Sequence, residues 1–116
     1  MPNQIDRDVY VTRDVLKTPI QYVRGTDYLP IVMHFRDFNI PEDASAQVFI
    51  AKPSGNIFYG AATISGNDVT IATEEQMFIE LGLTLMQISI QDNNKELISF
   101  AQPVYVLQNL KSGDLP

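Results

Sequence analysis

The feature that most constrains this chain is an apolar alternation of period two, repeated in short runs along its length. Val9 and Val11 alternate with charged or polar neighbours. Leu29, Ile31, Met33 and Phe35 form a second stripe, with Tyr28, Val32 and His34 on the other face. Ala46, Val48 and Ile50 make a third, and Val69 and Ile71 a short fourth. Met86, Ile88 and Ile90 alternate with Gln87, Ser89 and Gln91; Leu97, Ile98 and Phe100 follow, then Val104 and Val106. Successive side chains of a strand point to opposite faces, so this period is what half-buried strands require. Short strands at regular spacing predict an all-β domain, an antiparallel β-sandwich of immunoglobulin- or jelly-roll-like type. Ile31, Met33, Phe35, Val48, Ile50, Ile71, Ile88 and Ile90 hold the apolar phase and are the expected core.

The breaks between runs carry turn chemistry. In Lys52-Pro53-Ser54-Gly55-Asn56 the proline presets φ and the glycine supplies a positive one. Ser65-Gly66-Asn67-Asp68 repeats the device before Val69, and Asp92-Asn93-Asn94-Lys95 reads as a hairpin loop. Pro30 and Pro103 lack an N–H and are expected at strand margins or edges. One segment breaks the pattern. Thr73 is a possible N-cap, Glu74 and Glu75 suit a helix N-terminus, Met77, Phe78 and Leu81 fit one face, and Gly82 can terminate it. A short helix near residues 74–81 is the expectation, with a turn-rich loop as the alternative.

The chain divides into residues 1–19, a charged arm or edge strand, residues 20–107, the sandwich, and residues 108–116, where the alternation stops and a linker or tail begins. An edge strand tolerates charge, and an unpaired edge can be completed by a neighbouring chain. Val9, Tyr10, Val11 and Arg13 of the arm are therefore candidate interface residues. Tyr28, His34 and Tyr105 join them, because tyrosine combines buried area with a polar hydroxyl and His34 faces away from the apolar stripe. Deleting residues 1–15 is expected to leave the sandwich folded.

A length of 116 residues is that of one domain. There is no cysteine, so no disulfide framework, thiolate metal site or thiol nucleophile can form, which fits synthesis in a reducing cytoplasm. No apolar h-region of a signal peptide is visible at the N-terminus. The net charge of −6 is unevenly spread: residues 1–36 carry five bases against four acids, residues 37–116 three against ten. An acidic chain without a basic stripe is a poor ligand for nucleic acid or for an anionic membrane.

Catalytic chemistry is sought without success. His34 is the one histidine, which leaves no His-rich metal site, and no G-x-S-x-G elbow presents a serine to it. Asp92, Asn94 and Glu96 alternate as calcium ligands do, but the twelve-residue loop with its central glycine is missing. Gly55, Gly60, Gly66 and Gly82 are too dispersed for a phosphate loop. No catalytic, cofactor-binding or metal residue is assigned.

The order of segments resembles the N-terminal domain of phage baseplate upper proteins, from tailed phages and prophages of Gram-positive bacteria. The resemblance runs over residues 18–107: Ile20-Gln21-Tyr22-Val23-Arg24-Gly25-Thr26-Asp27, Phe35-Arg36-Asp37-Phe38-Asn39-Ile40-Pro41, the Lys52-Pro53-Ser54-Gly55-Asn56 turn, residues 62–71, Gln76-Met77, Gln87-Ile88-Ser89-Ile90 and Pro103-Val104-Tyr105-Val106. It implies a virion structural protein without cofactor, made in the host cytoplasm and placed in the tail baseplate. There it would dock on the distal tail protein as one of several copies, and would carry receptor-binding or other baseplate proteins for host attachment. The alternative is a carbohydrate- or protein-binding β-sandwich module of a cell-surface or secreted protein.

Overall fold

The computed structural model describes residues 3–112, and half of them lie in strands. In chain order these are β1 (Ile5–Val9), β2 (Ile20–Val23), β3 (Ile31–Phe35), β4 (Ser45–Ala51), β5 (Ile57–Ser65), β6 (Asp68–Ile71), β7 (Gly82–Asp92), β8 (Lys95–Ile98) and β9 (Gln102–Leu107). The all-β expectation holds. All eight expected core residues are buried, none more than 4% exposed.

The finer expectation, a pair of antiparallel sheets, gives way to one curled mixed sheet. The hydrogen-bonded path runs β1-β3-β6-β5-β4-β7-β9-β2, with β8 beside β7. The nine-residue β5 joins the two halves: residues 57–62 pair with β4, residues 63–65 with β6. The sheet turns over along this strand into a half-barrel around a single core. Both ends of the path are parallel pairs, β1 on β3 and β2 on β9. Tight two-residue loops enforce antiparallel neighbours, and the β5–β6 and β7–β8 hairpins have them. The long connections at residues 10–19 and 24–30 impose no such rule, so β1 and β2 pair with strands remote in sequence.

The turns follow their chemistry. Asn93 and Asn94 take φ values of 48° and 68°, the two consecutive positive angles of a type I′ loop. Gly66 supplies φ 61° between β5 and β6, and Gly55 φ 94° between β4 and β5. The expected helix near 74–81 shrinks to a single 3₁₀ turn, Glu75–Phe78. Met77 and Phe78 are buried beneath it, whereas Leu81 is exposed, so the three do not share one face. Phe78 packs on Tyr22, ring centroids 4.6 Å apart, and Tyr22 in turn donates its hydroxyl to the Leu29 carbonyl at 2.9 Å. Glu80 faces the neighbouring loop: its carboxylate accepts from the Ser54 N–H and hydroxyl, both at 2.8 Å, which holds its pKa below the usual value. Of the expected tail, Leu110–Ser112 form another 3₁₀ turn, and residues 113–116 lie outside the described residues, as do residues 1 and 2 of the arm.

Strands β8 and β9 behave as one strand interrupted by a bulge. Ile98 faces Ser89 and Gln102 faces Met86, so Ser99, Phe100 and Ala101 oppose only Gln87 and Ile88. The Ser99 N–H donates to the Ile88 carbonyl at 2.9 Å, and the Ser99 hydroxyl oxygen accepts the Ile88 N–H at 3.0 Å. The extra residue flips the phase: Leu97 and Ser99 point inward before it, Gln102, Val104 and Val106 after it.

Candidate interaction surface

The outer faces of the two halves differ in chemistry. On β1, β3 and β6 the outer face carries interlocked charges around the uncharged Val32 and Thr70. His34 lies between two carboxylates, its Nε2–H donating to Asp6 at 2.8 Å and its Nδ1–H to Asp68 at 2.7 Å. With both ring nitrogens donating, the imidazolium is favoured. The Asp6 bond, then the Asp68 bond, raises the His34 pKa; the same contact, followed by Gln4, lowers that of Asp6. Beside them the Arg36 guanidinium donates to Asp8 at 2.8 Å. These charges satisfy one another across adjacent strands, and among the described residues no group of three acidic, histidine or cysteine side chains could hold a metal ion.

A cleft of about 540 Å³ separates β1 from the chain leading into β2, lined by Arg7, Tyr10, Lys17, His34 and Gln102 among others. Arg7 spans it, donating to the Thr18 and Pro19 carbonyls at 3.3 and 3.4 Å. Gln102 is buried; its amide donates to the Thr18 carbonyl at 2.9 Å, while its Oε1 has no partner among the described residues.

Part of the outer face of the other half is apolar; towards β8 the same face turns polar, with Gln47, Ser89, Gln91 and the Glu96 carboxylate, which accepts from Ser89 and Gln91. Register places Phe49 between Tyr59 on β5 and Gln87 on β7, and Ala51 between Ile57 and Leu85. Leu85 is opposite Pro103 and Leu83 opposite Tyr105; on β2, Gln21 faces Tyr105 and Val23 faces Leu107. Phe49 and Tyr59 touch edge to face at 5.5 Å. The result is a diagonal band over five neighbouring strands, β5-β4-β7-β9-β2, without one charged side chain among the residues just named. Tyr59 is 68% exposed, and Val23, Ile57, Leu83, Leu85, Tyr105 and Leu107 lie between 41% and 49%. With ordinary side-chain sizes the band leaves on the order of 700 Å² open, beyond the ~300–600 Å² of the largest patch on a typical monomer and near the ~800 Å² each partner buries in a standard interface.

The seven residues singled out from the sequence do not form one surface. Val9 is a core residue, 2% exposed, because it is the inward end of β1, and Val11 packs half-buried against the same core. Val9 cannot contact a partner by its side chain, and Val11 offers only part of its own. The arm is gripped by its own domain: the Asp37 carboxylate accepts the N–H groups of Val11 and Thr12, and the Arg36 N–H donates to the Val9 carbonyl. Removing residues 1–15 would therefore strip an edge strand and core side chains, against the expectation that the fold would survive. Tyr10 is half-buried beneath the exposed Arg13 guanidinium, which lies 5.3 Å from its ring centroid. His34 belongs to the charged face, and Tyr28 is exposed on the loop before β3. Tyr105 alone lies in the apolar band. The residues that sequence reasoning missed carry a readable signal. Leu83 and Leu85 alternate with Met86, Ile88 and Ile90 in the opposite phase, and Phe49 stands between Val48 and Ile50. A strand apolar in both phases has a second face to cover.

No family model matches the chain, and no curated protein matches it either.

Proposed function

We propose that this chain is a non-catalytic structural module, a virion protein of a phage tail baseplate that docks on the distal tail protein and helps carry the host-recognition apparatus. The observation that carries this reading is the uncharged apolar band on the outside of an otherwise acidic domain. Apolar surface of that extent is stabilised by being covered, and a module built to be covered by protein needs neither pocket nor cofactor. The ordered segments between Ile20 and Val106 support the phage assignment, and the half-barrel is consistent with it because a stiff sheet passes load between neighbours. The test is capture of a phage distal tail protein by the purified full-length protein. The reading expects a stoichiometric complex between the distal tail protein and this chain in its assembled form. Absence of a complex with any protein of the same tail would refute it.

A further inference from the structure

We propose that the apolar band pairs two copies of this chain face to face, with the outer leucines of β7 at the two-fold axis. This deepens the reading above by naming what covers that face, and rests on the band alone. Three observations single out a second copy. The open area, on the order of 700 Å², is close to the ~800 Å² that one partner buries in a standard interface, so a single copy suffices to cover it. The band itself carries no charge: Asp6, Asp8 and Asp68 lie on the outer face of the other half, and Glu96, on the band's own side, lies beyond it on β8 and is held by Ser89 and Gln91. Two chains of net charge −6 can thus meet over the band without setting carboxylate against carboxylate there. A sheet face is also its own natural complement, because two sheets stack about 10 Å apart with their strands nearly aligned.

The strand order fixes the arrangement. In β5-β4-β7-β9-β2 the middle strand is β7. A two-fold axis lying in the interface and crossing the band at β7 sets Leu83 and Leu85 against the same residues of the second copy. The Tyr59 end of one chain then covers the Leu107 and Val23 end of the other. Each contact occurs twice, as an isologous interface requires. Aromatic residues at the flanks, leucines at the centre and no lysine or glutamate within match the composition of a buried interface core.

The measurement is sedimentation equilibrium of the full chain from sub-micromolar to millimolar concentration. A dimer with a Kd of roughly 1 μM or tighter is expected. Leu85→Glu should weaken it at least a hundredfold, because the charge meets itself across the axis, and Leu85→Lys should do the same. Leu16→Glu, on a side chain 99% exposed and outside the band, should change nothing. Circular dichroism melts establish that each variant is folded. Mixing the Glu and Lys variants is decisive even if either is destabilised: opposite charges at a shared axis should restore association as a heterodimer. A chain that stays monomeric at millimolar concentration, or a dimer indifferent to Leu85→Glu, overturns the proposal. If the monomer still captures the distal tail protein, this inference fails and the functional reading stands; a dimer that captures nothing from the tail has the opposite meaning.

Discussion

His34 shows how much one outward residue can do without being catalytic. Its ring joins Asp6 on β1 to Asp68 on β6, so it ties three strands of one half together. Its pKa is raised above the ordinary 6.5, so the stability it contributes is whole below that value and is lost as pH rises through the higher folded pKa. Asp6 acts in the opposite direction: its lowered pKa contributes stability above 3.8 that is lost as pH falls through the folded value. Urea unfolding should accordingly show stability that declines as pH rises above about 6.5, and His34→Gln should flatten that decline. An equal decline in the variant would show that His34 is not its source. That His34 leaves the core was legible, since it alternates with Met33 and Phe35. Its two carboxylate partners were not, because they come from strands whose order the sequence does not reveal. Ile88 was legible too: it holds the apolar phase of β7 and is 1% exposed. Ile88→Ala should cost about 2–5 kcal/mol in denaturant unfolding, and a loss under about half a kcal/mol would contradict its burial.

At the scale of elements, the alternation marked most strands, though not β2 or the joining strand β5, and the Gly and Asn positions marked the hairpins, but neither gives direction or partner. The parallel pairing of β1 on β3 and β2 on β9 depends on long connections whose course is set by packing. The bulge between β8 and β9 left a trace, the shift of the apolar phase from Leu97 to Val104, and was legible only in retrospect. Ser99 is the residue that makes the bulge tolerable, because its hydroxyl accepts an Ile88 N–H that would otherwise be buried unpaired. Ser99→Ala should therefore cost about 1–3 kcal/mol, more than a surface substitution, as measured by chemical unfolding. The arm supplies the edge strand its charge suggested, β1 on β3, but it is more tightly built in than expected: Asp6, Arg7 and Asp8 line an edge and a cleft, while Ile5 and Val9 face the core. Deleting residues 1–15 should lower the melting temperature by several degrees or prevent folding. A deletion that melts with the parent chain would restore the expectation that the fold survives without these residues.

For the whole molecule, the decisive contrast lies between two outer faces, one with its charges mutually paired and one with an open apolar band. Reading each strand for a single apolar phase found the core and hid that second face. The doubly apolar stretches around Leu83, Leu85 and Phe49 mark it once the register is known. The most direct measurement is tyrosine labelling of the free and the assembled protein, read residue by residue in a mass spectrometer. Tyr59 and Tyr105 lie on the band, Tyr28 is 74% exposed outside its strands, and Tyr22 is buried. The account predicts that in dilute solution Tyr28, Tyr59 and Tyr105 are modified while Tyr22 is not, and that in the assembled state Tyr59 and Tyr105 become protected while Tyr28 stays reactive. Tyr59 and Tyr105 as reactive as Tyr28 in the assembly would mean that the band stays open to solvent, and would contradict the central claim.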